Sequence, residues 1–177
     1  MTHADLLRVI YRFYPRDLYP NSPGYAETEE RRRQLTAARA AAVEYPKWKA
    51  MLGRLRARYV VGDWSLHLLS GGHDPAYSGY VEVPEGAPRR MGIHVCILAP
   101  YYGIAHTGTP DEEPHVRELA REVEATYGGA LIPPELGNIV VPDVTMDTRG
   151  LGEATIYDCL LSTVWGWSTA GAHAEMP

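Results

Sequence analysis

The hydrophobic periodicity of the chain changes near residue 60, and this change constrains the fold more than any other feature. Before that point, apolar residues recur at the three- and four-residue spacing of amphipathic helices. The clearest apolar stripes consist of Leu6, Leu7, Ile10 and Phe13 and, later, of Trp48, Met51, Leu52 and Leu55. The pattern predicts three helices, at residues 4–14, 29–45 and 46–59. Thr28 is expected to cap the second helix, and Pro46 is expected to separate the second from the third.

From residue 60 onward, apolar and polar residues alternate as they do along half-buried β-strands. Three alternating runs are separated by the turn sequences SGGHDP and PEGAPRR, which predicts an antiparallel meander. The apolar face of the third run is formed by Met91, Ile93, Val95, Ile97 and Ala99. Downstream, PDEEPHVRELAREVEATYGG has helical spacing, with Thr109 as a candidate cap. The later runs IVVPDV and EATIYDCLLSTVW are rich in strand-forming residues.

Helices that are segregated from an antiparallel sheet indicate an α+β fold. We expect N-terminal helices packed on a mainly antiparallel sheet of about five strands, with one further helix inserted before the last two strands. The length of 177 residues suits one domain of ordinary size. We therefore expect a single domain over residues 1–177, in which residues 1–58 form a helical layer and residues 60–177 form the sheet plus one helix.

The net charge of −5 conceals an uneven distribution of charge along the chain. Residues 1–90 contain 14 Lys or Arg and 10 Asp or Glu, a balance of +4. Residues 91–177 contain 3 Lys or Arg and 12 Asp or Glu, a balance of −9. An acidic surface repels nucleic acid and attracts cationic partners. The distribution therefore predicts a basic protein partner and no nucleic-acid partner.

The composition also predicts where the protein resides. The N-terminal sequence lacks the basic stretch, apolar run and cleavage site of a secretory signal, and no run of about 18 apolar residues occurs. The chain has two cysteines, Cys96 and Cys159, and such sparse use favours a reducing compartment. We expect a cytoplasmic protein without membrane partners. The oligomeric state, and whether the two cysteines are ever bridged, stay open.

One face of the predicted sheet offers an alternative, enzymatic interpretation. His94 and Cys96 share a strand face, and His67 has the same relation to its own strand. The three side chains could form the site of a small enzyme, with or without a metal. However, the paired cysteine spacing of zinc sites and the H-E-x-x-H motif are both absent. Burial on a covered sheet face is the simpler interpretation, so we predict no catalytic residue, no metal and no cofactor.

Acidic and aromatic residues accumulate together in the C-terminal half of the chain. Carboxylates speed association with a cationic surface, and Tyr and Trp anchors supply much of the binding energy of an interface. We predict that a partner binds at Tyr101, Tyr102, Asp143, Asp147, Glu153, Asp158, Trp165 and Trp167. The alternative is that the tryptophans belong to the core and that the carboxylates are ordinary surface groups.

The segments PYYGIAHTG, IPPELGNIVVPDV and LGEATIYDCLLSTVW resemble small bacterial proteins found beside polymorphic toxins, the immunity proteins. The similarity is one of general character and is limited to the C-terminal half: an acidic α+β protein, rich in Tyr and Trp, without a catalytic motif. The resemblance implies a non-enzymatic inhibitor that binds a cognate protein toxin. It assigns no role to an individual residue.

Overall fold

The computed structural model describes residues 1–65, 74–83 and 89–162, and a five-stranded sheet lies at its centre. The strands are β1 (Val60–Asp63), β2 (Ala76–Val83), β3 (Arg89–Cys96), β4 (Tyr101–Ala105) and β5 (Ala130–Leu131). The first four strands pair antiparallel in chain order, and β5 pairs with β4 in parallel. A meander of neighbouring strands explains the antiparallel pairing, and the helix between β4 and β5 makes the final parallel pairing possible.

Five helices and one 3₁₀ turn, Tyr25–Glu27, accompany the sheet in the described part of the chain. The helices are α1 (His3–Phe13), α2 (Glu29–Leu55), α3 (Glu113–Tyr127), α4 (Pro134–Gly137) and α5 (Ile156–Leu160). The α+β class, the N-terminal helices and the mainly antiparallel five-stranded sheet are confirmed. None of the described helices combines the length and the apolar character that crossing a membrane requires.

The larger core lies between one face of the sheet and the helices α2 and α3. Alternation along the strands directs every second side chain to this face, and the apolar stripe of α2 packs against it. The buried members include Trp48, Met51, Leu52, Leu55, Tyr77, Val81, Val83, Met91, Ile93, Val95, Leu119 and Val123. The helical stripe and the strand face that the periodicity predicts therefore meet in one core.

Residues 29–55 form one helix, which continues through Pro46. The predicted cap is confirmed, because the Thr28 side chain accepts a hydrogen bond from the backbone of Arg31. A proline in a helix interior removes one backbone hydrogen bond and costs about 3 kcal/mol. Buried side chains on both sides of the proline offset this cost, and the Tyr77 hydroxyl holds the preceding turn by donating to the carbonyl of Ala41. The prediction of a separate third helix was therefore wrong.

A second core lies where β3 and β4 direct Cys96 and Tyr101 away from the first core. Helices α1 and α5 both contribute to it, and both begin with a capping box, in which an N-cap threonine and an aspartate three residues later bond reciprocally. The other buried members include Leu6, Ile10, Phe13, Ile132, Val141, Val144, Ile156, Tyr157 and Leu160. This core fixes the loops that follow α1 and α4.

As far as the described residues extend, the two runs predicted as the last strands are not part of the sheet. IVVPDV contributes one isolated bridge, between Val140 and Thr155, because Pro142 lacks the N–H that a continuing ladder needs. EATIYDCLLSTVW contains helix α5, since the capping box at Thr155 starts a helix there.

The last two strands of the sheet lie elsewhere, at β4 and β5. The third predicted run extended to residue 99, whereas β3 ends at Cys96 and the chain reverses before β4 begins. Helix α3 ends at Tyr127 with Gly128 as its C-cap, at the glycine pair as predicted, but its N-cap is Glu112 and not Thr109.

Candidate functional site

The sheet face of His94 and Cys96 is buried and lacks the properties of a reactive site. His94 has no exposed surface, and its Nδ1 lies 2.9 Å from the Ser78 hydroxyl. Burial lowers the pKa of His94 to about 3, so the ring is neutral near pH 7. Burial also raises the pKa of the Cys96 thiol to about 11, which keeps it protonated and weakly nucleophilic. His67, the third member of the predicted set, lies outside the described residues.

The remaining metal-binding and thiol chemistry is equally limited in the part of the chain that the structure covers. Within residues 1–65, 74–83 and 89–162, no three His, Cys, Asp or Glu side chains lie together as a metal site requires. Cys159 is fully buried and, like Cys96, is a free thiol. Burial raises the pKa of Cys159 as well.

Arginines from the basic half of the sequence pair with carboxylates from the acidic half, so the two halves are not separated in space. The ion pairs that join the halves are Arg16–Asp143, Arg54–Glu122, Arg58–Glu118 and Arg89–Asp111. Two of them hold α3 against the end of α2: Arg54 lies in the last turn of α2, and Arg58 lies three residues beyond the helix. Each exposed pair stabilises the fold by only about 0–1 kcal/mol. The pairs nevertheless neutralise carboxylates that were expected to be available to a partner.

Two of the predicted interface residues are buried and stabilise the fold instead. Tyr102 is 1% exposed, and its hydroxyl donates to Glu124 Oε1 at 2.6 Å. Asp158 is 5% exposed and accepts hydrogen bonds from the backbone and hydroxyl of Thr155 at the start of α5. Arg149 Nε lies 3.4 Å from the same carboxylate. The folded chain cannot present these side chains to a partner, which corrects the prediction for both.

Asp143 and Tyr101 are partly buried and take part in contacts within the fold. The Asp143 side chain is 13% exposed and accepts a hydrogen bond of 2.5 Å from Arg16 Nε. The Arg16 guanidinium also lies 4.8 Å from the centre of the Tyr11 ring. Tyr101 packs against the second core and lines a surface depression of about 250 Å³ between the β3–β4 turn and the end of α3. Both residues could form at most the margin of an interface.

Asp147 and Glu153 are exposed, as an interface residue must be. They lie in residues 138–155, which we call the acidic segment because it holds three carboxylates and one arginine. The same segment exposes two apolar side chains, Val140 and Leu151, each at 45%. Trp165 and Trp167, the two predicted aromatic anchors, lie outside the described residues.

The loop that follows α1, at residues 15–20, is fastened to the acidic segment by two long-range hydrogen bonds. The Asp17 amide donates to the Asp143 carbonyl at 2.8 Å. The Thr145 hydroxyl donates to the Leu18 carbonyl at 2.7 Å. Tyr19 follows directly and is 53% exposed. Tyr19 is not among the residues predicted to bind a partner, although an aromatic residue within the proline-rich stretch PRDLYPNSPGY was a usable signal.

No family model matches this chain, and comparisons with curated proteins and with solved structures found no match. Any assignment of function therefore depends on the chemistry of the described surface.

Proposed function

We propose that this protein is a non-enzymatic inhibitor that binds a basic protein partner, and that the partner is a cognate toxin that it neutralises as an immunity protein does. The observation that carries the proposal is the joint exposure of apolar and acidic side chains in the acidic segment. Val140 and Leu151 are each 45% exposed, and Asp147 and Glu153 lie exposed in the same segment. Protein interfaces combine apolar side chains, which lose water on binding, with polar groups at the rim.

The backbone of the acidic segment is held in one conformation by hydrogen bonds, which supports the proposal. The amide of Val141 donates to the Ala154 carbonyl at 2.8 Å, and the amide of Ile156 donates to the Ile139 carbonyl at 3.0 Å. Met146 and Arg149 form a further bridge within the segment. A surface that is already ordered loses less conformational entropy when a partner binds.

The charge of the acidic segment matches a cationic partner. Asp143, Asp147 and Glu153 against Arg149 give a formal charge of −2 over residues 138–155. Exposed carboxylates such as Asp147 and Glu153 increase the rate at which a positively charged protein associates, and salt screens the effect. Three of the ion pairs described above reduce the charge elsewhere on the acidic half, and within this segment Asp143 is paired with Arg16, so Asp147 and Glu153 are the better candidates.

The alternative of a small enzyme based on His67, His94 and Cys96 receives less support. A general base should have a pKa near the working pH, and a nucleophilic cysteine needs thiolate character. Burial instead lowers the pKa of His94 to about 3, far below the working pH, and raises the pKa of Cys96 to about 11, which disfavours the thiolate.

Co-expression with a toxin tests the proposed function. The probe is the product of the gene next to the one for this chain, which the proposal expects to be a toxin, expressed in a sensitive host with and without the chain. We expect the intact chain to restore growth and to form a stable complex with a catalytically inactive form of the toxin. Growth inhibition that persists, together with no complex at micromolar concentrations, would overturn the proposal.

A further inference from the structure

Asp17 has an unusual backbone conformation in the loop between α1 and the 3₁₀ turn. Its φ is 53°, and among the described residues it is the only one besides glycines with a positive φ. Aspartate tolerates this left-handed region better than most residues, but the conformation is still less favourable than the ordinary ones. Such a conformation persists only where the surrounding structure holds it, and it is found preferentially at functional sites.

Contacts with the acidic segment hold this loop in place. On either side of the Asp17 α-carbon, the chain is tied to Asp143 and Thr145 by the two hydrogen bonds described above. Arg16 adds a third tie through its ion pair with Asp143. The result is a short, rigid loop that ends in Tyr19, which is 53% exposed. A large aromatic side chain on a rigid support loses little entropy on binding, as interface anchors require.

We propose that Tyr19 is an aromatic anchor through which this surface binds a cationic protein partner, with Asp17 and the acidic segment supplying the surrounding negative charge. The proposal rests on the proposed function for the identity of the partner. It extends the interface beyond the acidic half of the sequence, because Tyr19 and Asp17 both belong to the basic half.

Charge complementarity identifies the kind of partner. Residues 15–20 and 138–155 together contain Asp17, Asp143, Asp147 and Glu153 against Arg16 and Arg149, a formal charge of −2. An arginine or lysine of the partner can stack on the tyrosine ring while a carboxylate neutralises it. The chain already contains this arrangement internally, since the Arg16 guanidinium lies over the Tyr11 ring and pairs with Asp143.

The test uses two probes and a matched set of variants. The first probe is a catalytically inactive form of the toxin that the co-expression test identifies, and the second is an arginine-rich peptide followed by backbone amide chemical shifts. Tyr19→Ala should raise the Kd for the toxin by about thirty-fold, whereas Tyr19→Phe, which keeps the ring, should change it by less than about threefold. Val43→Ala removes an apolar side chain that is 80% exposed on α2 and should have no effect. Thermal melts should show that all three variants stay folded.

The two probes separate failure of this inference from failure of the proposed function. If the toxin binds Tyr19→Ala as tightly as wild type, the anchor is refuted and the proposed function stands. If the toxin does not bind at all, the proposed function is lost and the peptide decides the inference. Peptide-induced shifts at residues 15–20 that weaken in Tyr19→Ala would support the anchor. Shifts confined to other surfaces would refute it.

Discussion

Replacing Trp48 with alanine should destabilise the protein strongly, because this residue fastens α2 to the sheet. Trp48 is fully buried, and its ring stacks on Tyr77 with centres 5.5 Å apart and an interplanar angle of 12°. Its Nε1 donates to Asp63 Oδ1 at 3.0 Å. Truncation of a buried aromatic side chain to alanine costs about 3–5 kcal/mol.

The hydrogen bonds around Asp63 keep the expected loss within that range. After the substitution, the Asp63 carboxylate still accepts from the Tyr45 hydroxyl at 2.6 Å and from the Ser65 amide at 3.0 Å. It is therefore not left as a buried charge without donors, which would add a further penalty. For a chain of this length, the predicted loss corresponds to a decrease in Tm of roughly 6–20 °C.

Urea unfolding at pH 7 measures the change in the free energy of unfolding, and a thermal melt checks it. The matched control is Val43→Ala on the same helix, at a side chain that is 80% exposed, and its effect should stay within about 0.5 kcal/mol. Equal unfolding midpoints for Trp48→Ala and wild type would refute the packing of α2 on the sheet.

Three further predictions concern buried titratable groups. Burial lowers the pKa of His94 to about 3 from its ordinary value of 6.5, so the unfolded chain takes up this proton first. Stability should therefore fall as pH drops below about 6.5, by up to about 1.4 kcal/mol per pH unit, and His94→Gln should flatten this decline in urea titrations. Partial burial raises the pKa of Asp63, but hydrogen bonds from Tyr45, Ser65 and Trp48 lower it by more. The resulting stabilisation is present above about pH 4 and lost below it, and a shallower acid limb for Asp63→Asn would confirm this. Cys96 and Cys159 should react with a thiol reagent only after urea unfolding, and rapid labelling of the native protein would contradict their burial.

The helical and alternating periodicities were enough to predict large parts of both cores. Leu6, Ile10 and Phe13 of α1 and the Trp48–Leu55 stripe of α2 are buried as the spacing indicates, and so is the apolar face of β3. These patterns are reliable because each helix or strand has one buried face, and the apolar residues of that face repeat at a regular spacing along the element.

The remaining elements depend on features that periodicity does not record. Helix α2 continues through Pro46 because tertiary contacts on both sides offset a local cost. Residues 156–160 are buried on every side, so they carry no alternation, and only the capping box at Thr155 indicates a helix. The distribution of charge along the sequence also does not show which charges are neighbours in the fold. Arg16 and Asp143 are 127 residues apart and yet form an ion pair.

The candidate surface could be predicted only in part. Asp147 and Glu153 are exposed as an interface requires, whereas Tyr102 and Asp158 are buried. A tyrosine or aspartate reads the same in a sequence whether its polar atom faces solvent or a buried partner. The position of Tyr19 depends on hydrogen bonds that the Asp17 amide and the Leu18 carbonyl form with a segment far away in the chain, which no local pattern records.

The association rate of the inactive toxin, measured over a range of salt concentrations, shows whether the acidic segment binds the partner. The variant is Asp147→Asn with Glu153→Gln, and the control is Asp111→Asn with Glu113→Gln, which makes the same change in net charge at the start of α3. At low salt, Asp147→Asn with Glu153→Gln should lower the association rate several-fold and weaken its salt dependence, with little change in the dissociation rate. The control pair should have a clearly smaller effect. Association rates that are the same for wild type and both double variants at every salt concentration would show that the acidic segment does not bind the partner.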